Sequence, residues 1–219
     1  MHLVIINATP THPSKSNTVR YTEEFLKGFY HQGGTTEIYY LSDRAQWNHA
    51  ISAFFHGKNI LFSLPLYNAM IPGIMMEFLE ELSAFLSSCT YTNPKRYVAF
   101  LLQSGFPESI HRQCCEQYLK NLPQKLCSEY SGILSHGNTF QIPFASNSSI
   151  SLSYERMGEL FADNGCTFFF PEAKLFNTPT YIASEEAHVY NRIFRFFCQH
   201  TAQACGSVFP LDHKPYETN

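Results

Sequence analysis

Charge is scarce in this 219-residue chain: 15% of the residues are Asp, Glu, Lys or Arg, and the formal net charge is -3. Such a balance excludes the basic footprint of a nucleic-acid binder and the cationic face of a membrane-surface protein. No apolar run approaches the roughly 20 residues needed to span a bilayer. The N-terminal HLVIIN lacks the basic start, long apolar stretch and cleavage site of a signal peptide. Paired cysteines are missing too. Seven is an odd number, none forms a C-x-x-C, and the adjacent Cys114 and Cys115 suit neither zinc nor an ordinary disulfide. A reduced, cytoplasmic protein is expected. There is no G-x-G-x-x-G dinucleotide turn, no two-glycine P-loop, no H-E-x-x-H and no G-x-S-x-G elbow. The ten histidines are scattered without ligand spacing, so no metal site is expected.

What the chain has is apolar residues (44%) and aromatics (16%), enough for a folded interior. His2–Asn7 reads as a buried strand, short and β-branched. From Asn17 the period changes: Val19, Thr22, Phe25, Leu26 and Phe29 share a helical face that Gly33-Gly34 ends. Strands are expected at 36–41, 59–64, 96–103 and, with Gly137 as a bend or bulge, 132–140. Helices are expected at 44–55, 73–86 and 109–120, with a continuation past Pro123 open. After a polar loop at 145–153, helices follow at 154–163 and 185–203, the last with Val189, Ile193, Phe196 and Phe197 on one face. The chain carries no internal repeat, heptad run or domain linker. It reads as a single domain over 1–219, with a core at about 1–140 and a C-terminal helical extension at about 150–206.

Strand–helix alternation through the core implies an α/β fold, a three-layer sandwich around a parallel five-stranded sheet. The order 2-1-3-4-5 places the ligand crevice at the carboxyl ends of strands one, three and four. Loop one, Ala8–Thr18, offers hydroxyls leading into a helix N-terminus. It serves either as an ordinary Ser/Thr cap or as a phosphate site. Loop two follows the apolar strand with Pro65-Leu66-Tyr67-Asn68 and then Pro72-Gly73. Proline cannot donate to a ladder, so the strand is expected to end near Leu64. Loop three is Gln103-Ser104-Gly105-Phe106-Pro107-Glu108. Loops two and three are each open to a second reading as plain turns. His12 stands out among the histidines by its place in loop one.

Taken together, Thr9 with Ser16-Asn17-Thr18, Pro65-Leu66-Tyr67-Asn68 with Pro72-Gly73, and Gln103-Ser104-Gly105-Phe106 resemble the FMN sites of the NAD(P)H-dependent FMN reductase and quinone reductase branch of the flavodoxin-like superfamily. The resemblance covers about the first 140 residues. It implies an FMN phosphate on the loop-one hydroxyls and an isoalloxazine ring between loops two and three. Backbone amides near Leu66–Asn68 and Gln103–Gly105 would then bond the ring, with Tyr67 and Phe106 shaping its face. It further implies NADPH or NADH as electron donor, a small-molecule acceptor and a homodimer.

There are departures. Met76 and Glu80 stand where many relatives carry a lysine and an aspartate, and Asn7-Ala8 replaces a common Gly-Ser. Ala45-Gln46-Trp47-Asn48 replaces the cysteine cluster of iron-sulfur relatives, so no such cluster is expected. The implied activity is an FMN-dependent NAD(P)H oxidoreductase acting on a quinone, azo, nitro or flavin acceptor. The flavin carries the hard chemistry in such enzymes, so no catalytic side chain is expected. Two rivals remain: a flavodoxin-like electron carrier without nicotinamide activity, and a hydrolase using Ser104 as nucleophile.

Overall fold

The computed structural model describes residues 1–89, 95–139, 149–176 and 181–206. Five parallel strands form one sheet in the order β2-β1-β3-β4-β5. They are β1 His2–Asn7, β2 Thr35–Tyr40, β3 Asn59–Pro65, β4 Tyr97–Gln103 and β5 Glu129–His136. Helices α1 Asn17–His31, α2 Trp47–His56, α3 Gly73–Ser88, α4 Ile110–Lys125 and α5 Ser149–Asp163 cover its two faces.

Side-chain alternation along the strands sorts the core into two layers. Val4, Ile6, Phe62, Phe100 and Leu102 pack with Phe54, Phe78, Leu82 and Leu119 on the α2–α3–α4 side. Leu3, Ile5, Leu61, Ala99 and Leu101 pack with Phe25, Phe29, Tyr154 and Phe161 on the α1–α5 side. There α1 and α5 touch backbone to backbone. A Cβ at Gly28 would stand 1.8 Å from the Glu155 carbonyl, and one at Gly158 would stand 1.8 Å from that of Phe25.

Several bounds differ from expectation, each for a physical reason. β3 runs one residue past Leu64, because the Leu66 amide donates to the Gln103 carbonyl at 2.7 Å and continues the ladder. Neighbouring amides along a strand point to opposite sides, so the missing donor of Pro65 faces the side where β1 has already left the sheet. β5 begins at Glu129, three residues early, and ends before Gly137. Its irregularity lies at Gly132 (φ +98°), opposite the shift between Val98 and Phe100. A left-handed residue at a bulge is what glycine supplies. Phe140 lies outside the described residues.

α4 continues through Pro123 to Lys125. Residues 149–153, expected as part of a polar loop, are the first turn and more of α5; 145–148 lie outside the described residues. The chain divides into two compact units, Met1–Thr180 and Tyr181–Asn219. The second contains α6, Ser184–Ala204. On α6 the expected apolar residues Val189, Ile193 and Phe196 are exposed, and the side chain of Phe197 lies outside the described residues. No helix among the described residues is long and apolar enough to cross a membrane.

Candidate active site

The carboxyl ends of β1, β3 and β4 bring the three loops to one edge of the sheet. Loop one leaves β1 at Asn7, whose Oδ1 accepts the Thr9 amide at 3.2 Å. The Thr9 hydroxyl accepts the Thr11 amide and the Ser16 hydroxyl, at 3.3 and 3.1 Å. Ser16 caps α1, its Oγ accepting the Val19 amide at 3.3 Å. The first-turn amides of Asn17 and Thr18 precede any intrahelical acceptor. Thr9, Ser16 and Thr18 are buried and Asn17 is exposed, so hydroxyls and amides are held together in a fixed cradle. The helix dipole makes that end favourable for an anion. Both readings of loop one therefore stand on the same atoms: the cap is real, and the donors beyond it remain.

His12 caps a separate element. It is exposed, its Nδ1 pairing with the Ser14 hydroxyl at 2.9 Å to cap the 3-10 turn Pro13–Lys15. Behind the cradle, Thr22 on α1 donates to the Thr18 carbonyl at 2.8 Å and its hydroxyl pairs with Ser63 of β3 at 2.7 Å. That buried pair fixes the start of α1 to the sheet.

Loop two folds back on itself. Tyr67 and Met70 exchange backbone hydrogen bonds of 2.9 and 3.0 Å around Asn68 (φ +46°) and Ala69 (φ +66°). Two central residues with positive φ make a type I′ turn, tolerated by asparagine and strained for alanine. The turn leaves Tyr67 46% exposed at the crevice. Pro65 and Leu66 are half-buried at its root.

Loop three is stitched to the chain that follows β5. The Ser104 amide donates to His136, and its carbonyl accepts both the amide and the hydroxyl of Thr139. The Phe106 carbonyl accepts the Asn138 amide at 3.1 Å. Gly137 is needed here by close approach: a Cβ would meet the Phe106 and Pro107 carbonyls at 2.7 and 2.8 Å. Phe106 projects 48% exposed, its ring 4.8 Å from that of His111.

These bonds decide which expected amides are free. Those of Leu66, Tyr67 and Ser104 already serve Gln103, Met70 and His136. Among the described residues, the amides of Asn68 and Gly105 donate to nothing in the protein. One lies on loop two and the other on loop three. Ser104 makes no nucleophile: its hydroxyl is buried without a partner, so no base holds it.

A buried polar layer lies under the edge, and it was not visible in the sequence. Gln103 is 3% exposed, and its carboxamide lies beside the Tyr154 hydroxyl, while Nδ2 of the buried Asn7 has no hydrogen-bond partner. Beside them His136 Nδ1 meets the Tyr154 hydroxyl at 3.0 Å, and the Tyr21 and Tyr154 rings lie 4.8 Å apart. Burial, and then the Arg112 charge, push the His136 pKa down to about 4, so the imidazole is neutral at pH 7. Burial pushes the phenols of Tyr154 and Tyr21 up, the latter to about 12.

Arg112, fully buried, donates from Nε to the Ser135 hydroxyl at 2.9 Å and from Nη1 to the Glu108 carbonyl at 3.3 Å. The Ser135 hydroxyl in turn donates to Oε1 of Glu116 at 2.6 Å. The guanidinium therefore braces loop three from below. The one sequence signal is the place of Arg112 on the apolar face of α4, at helical spacing from Cys115, Leu119 and Leu122. Met76 and Glu80, the departures from the family pattern, line a groove of about 340 Å³ between α3 and α4 with Tyr118, Leu122 and Lys125.

No protein-family model and no curated protein sequence matches the chain. Solved structures do. An FMN-dependent NADH-azoreductase from Bacillus anthracis, in complex with FMN, superposes with a TM-score of 0.55 at 15% identity, over 74% of this chain and 98% of that one. An NADH:FMN oxidoreductase in its apo form gives 0.55 at 13% identity, over 84% and 97%. An NAD(P)H:quinone oxidoreductase from Methanothermobacter marburgensis gives 0.52 at 14% identity, over 75% and 95%. At such identities the likeness establishes the fold. With its strand order and two-sided helices, the chain is flavodoxin-like.

Proposed function

We propose that this protein is an FMN-dependent NAD(P)H oxidoreductase that reduces a small-molecule quinone, azo, nitro or flavin acceptor. The observation that carries the reading is the pair of unclaimed amides, Asn68 and Gly105, on the two loops that share the carboxyl edge of the sheet with the hydroxyl cradle at the start of α1. The buried Asn7 Nδ2 and Ser104 hydroxyl, which lack partners, point to the same conclusion. Buried polar atoms without partners are rare in proteins, and a polar ligand at this edge would satisfy them. The fold is also that of proteins described as FMN-dependent NADH-azoreductase and NAD(P)H:quinone oxidoreductase.

In this reading Thr9, Ser16, Asn17 and Thr18 hold the FMN phosphate with neutral donors and the α1 dipole. Pro65, Leu66, Tyr67 and Asn68 flank one side of the ring, and Gln103, Ser104, Gly105 and Phe106 the other. The chemistry supplied by bound FMN is hydride acceptance from the nicotinamide and onward electron transfer. The chain's residues orient and desolvate. Amide donors favour negative charge at the ring edge, and the braced loop three keeps them in place without reorganisation. No side chain is needed as acid or base.

A cytoplasmic homodimer is part of the proposal. Tyr67 and Phe106, each about half exposed, leave an aromatic rim that a second copy would cover. The test is titration of FMN into the purified protein, followed by NADH and NADPH oxidation with quinone, azo and nitro acceptors. Stoichiometric FMN binding with nicotinamide-dependent turnover is expected. Absence of FMN binding would overturn the reading. FMN binding without oxidation of either nicotinamide would favour an electron carrier instead.

A further inference from the structure

We propose that His31, Glu155 and Glu159 form a binding site for one divalent transition-metal ion of the zinc class, bridging α1 and α5. His31 closes the last turn of α1, and Glu155 and Glu159 lie one turn apart on α5. Nδ1 of His31 stands 3.4 Å from Oε1 of Glu155 and 3.8 Å from Oε1 of Glu159, and the three atoms lie within 4.8 Å of one another. Tetrahedral bonds of about 2.0–2.2 Å hold neighbouring ligand atoms roughly 3.3–3.6 Å apart. Small side-chain rotations therefore close the site.

The backbones beneath these ligands are locked. Gly28 and Gly158 bring the two helices into direct contact, within a turn of His31 and of both carboxylates. Arg156 donates from Nη1 to Oε2 of Glu159 at 2.6 Å. It thereby leaves Oε1 facing the imidazole, as an outer partner does when it orients a ligating carboxylate. Two carboxylates share one face of α5; Arg156 pairs with Glu159, and His31 is the cross-helix partner of both. One imidazole nitrogen with two carboxylate oxygens suits zinc and its neighbours better than magnesium or calcium, which favour oxygen-only shells. The carboxylates are about a quarter exposed and the imidazole more than half, so water reaches the open position.

The site lies at the C-terminal end of α1. The proposed flavin cradle is at the other end, about 20 Å away along a 15-residue helix, so the two readings stand or fall separately. The test uses the full chain, reduced and stripped with chelator, and titrates Zn²⁺ by equilibrium dialysis and Co²⁺ by visible absorption. One ion per chain is expected, with weak cobalt bands, no thiolate charge-transfer band and no competition from excess Mg²⁺. His31→Ala and the isosteric Glu159→Gln should each weaken binding at least tenfold while circular dichroism and FMN affinity stay unchanged. Absence of binding, a thiolate band, or affinity unchanged in both variants would overturn the proposal.

Discussion

Replacing Gly158 by alanine should destabilise the protein by about 2 kcal/mol, although alanine is the better helix former. The added Cβ would lie 1.8 Å from the Phe25 carbonyl oxygen and 3.0 Å from the Phe29 amide nitrogen. Ordinary contact begins near 3.4 Å, so α1 must retreat from α5 by about 1.6 Å, from 1.8 to 3.4 Å. Both neighbours are backbone and cannot rotate away. The retreat loosens the aromatic packing that α1 and α5 share, including Phe25 on Phe161 at 5.4 Å and Phe29 on Phe161 at 6.4 Å. Overpacking of this kind costs about 1–3 kcal/mol, with the backbone clash placing it at the top of that range. Helix propensity returns about 1 kcal/mol.

Urea unfolding followed by circular dichroism should show a midpoint lower by roughly 0.7–1 M. Gly73→Ala is the control, since a Cβ there meets nothing within 4 Å. It should be neutral or slightly stabilising. A Gly158→Ala protein as stable as wild type, or more so, would refute the close α1–α5 contact. That contact matters for function because α1 carries the proposed phosphate cradle at its other end.

Ala69→Gly should raise stability by about 1 kcal/mol in the same assay, because the left-handed turn position strains alanine and not glycine. Ser16→Ala should cost about 1 kcal/mol through the lost α1 cap and should weaken FMN binding by calorimetry, whereas the exposed Ser14→Ala should leave FMN affinity unchanged. The buried His136 contributes a pH dependence of definite sign. Its folded pKa, about 4, lies below the unfolded value near 6.5, so its contribution is fully present above pH 6.5 and is lost as pH falls towards 4. The loss amounts to about 3 kcal/mol. His136→Asn should flatten stability over that window in urea titrations at pH 4, 5, 6 and 7; an unchanged slope would show that the imidazole titrates normally.

Much of this architecture could be read from local signals. Strands β1, β3 and β4 are continuous apolar runs that end in Pro65, in Gln103-Ser104-Gly105 and in the hydroxyl-rich Ala8–Ser16, so their edges and their loops announce themselves. Alternation announced a parallel sheet, and five strands suited the flavodoxin-like order that the sheet has. The weaker elements were harder. β5 begins with Glu129, Tyr130 and Ser131, which alternate too poorly to mark a strand, and its bulge moved the apparent start to Gly132. The first turn of α5 follows a Ser- and Asn-rich run and reads as loop, yet the helix begins at Ser149. At the site, hydroxyls and turns were legible because they are local. Which amides are spent is not, since that depends on Gln103, Met70 and His136 meeting Leu66, Tyr67 and Ser104 across the fold. The Arg112–Ser135–Glu116 brace joins a helix to a strand; the helical spacing of Arg112 with Cys115 and Leu119 shows a buried position and not its partners.

The central claim is that the crevice holds FMN in a form that nicotinamide can reduce. Anaerobic stopped-flow mixing of the FMN-loaded protein with NADH, and separately with NADPH, tests it most directly. Rapid bleaching of the oxidised-flavin absorbance with at least one donor, at a rate that saturates with its concentration, is the predicted result. A protein that binds no FMN, or whose bound FMN keeps its colour with both donors, would contradict the account.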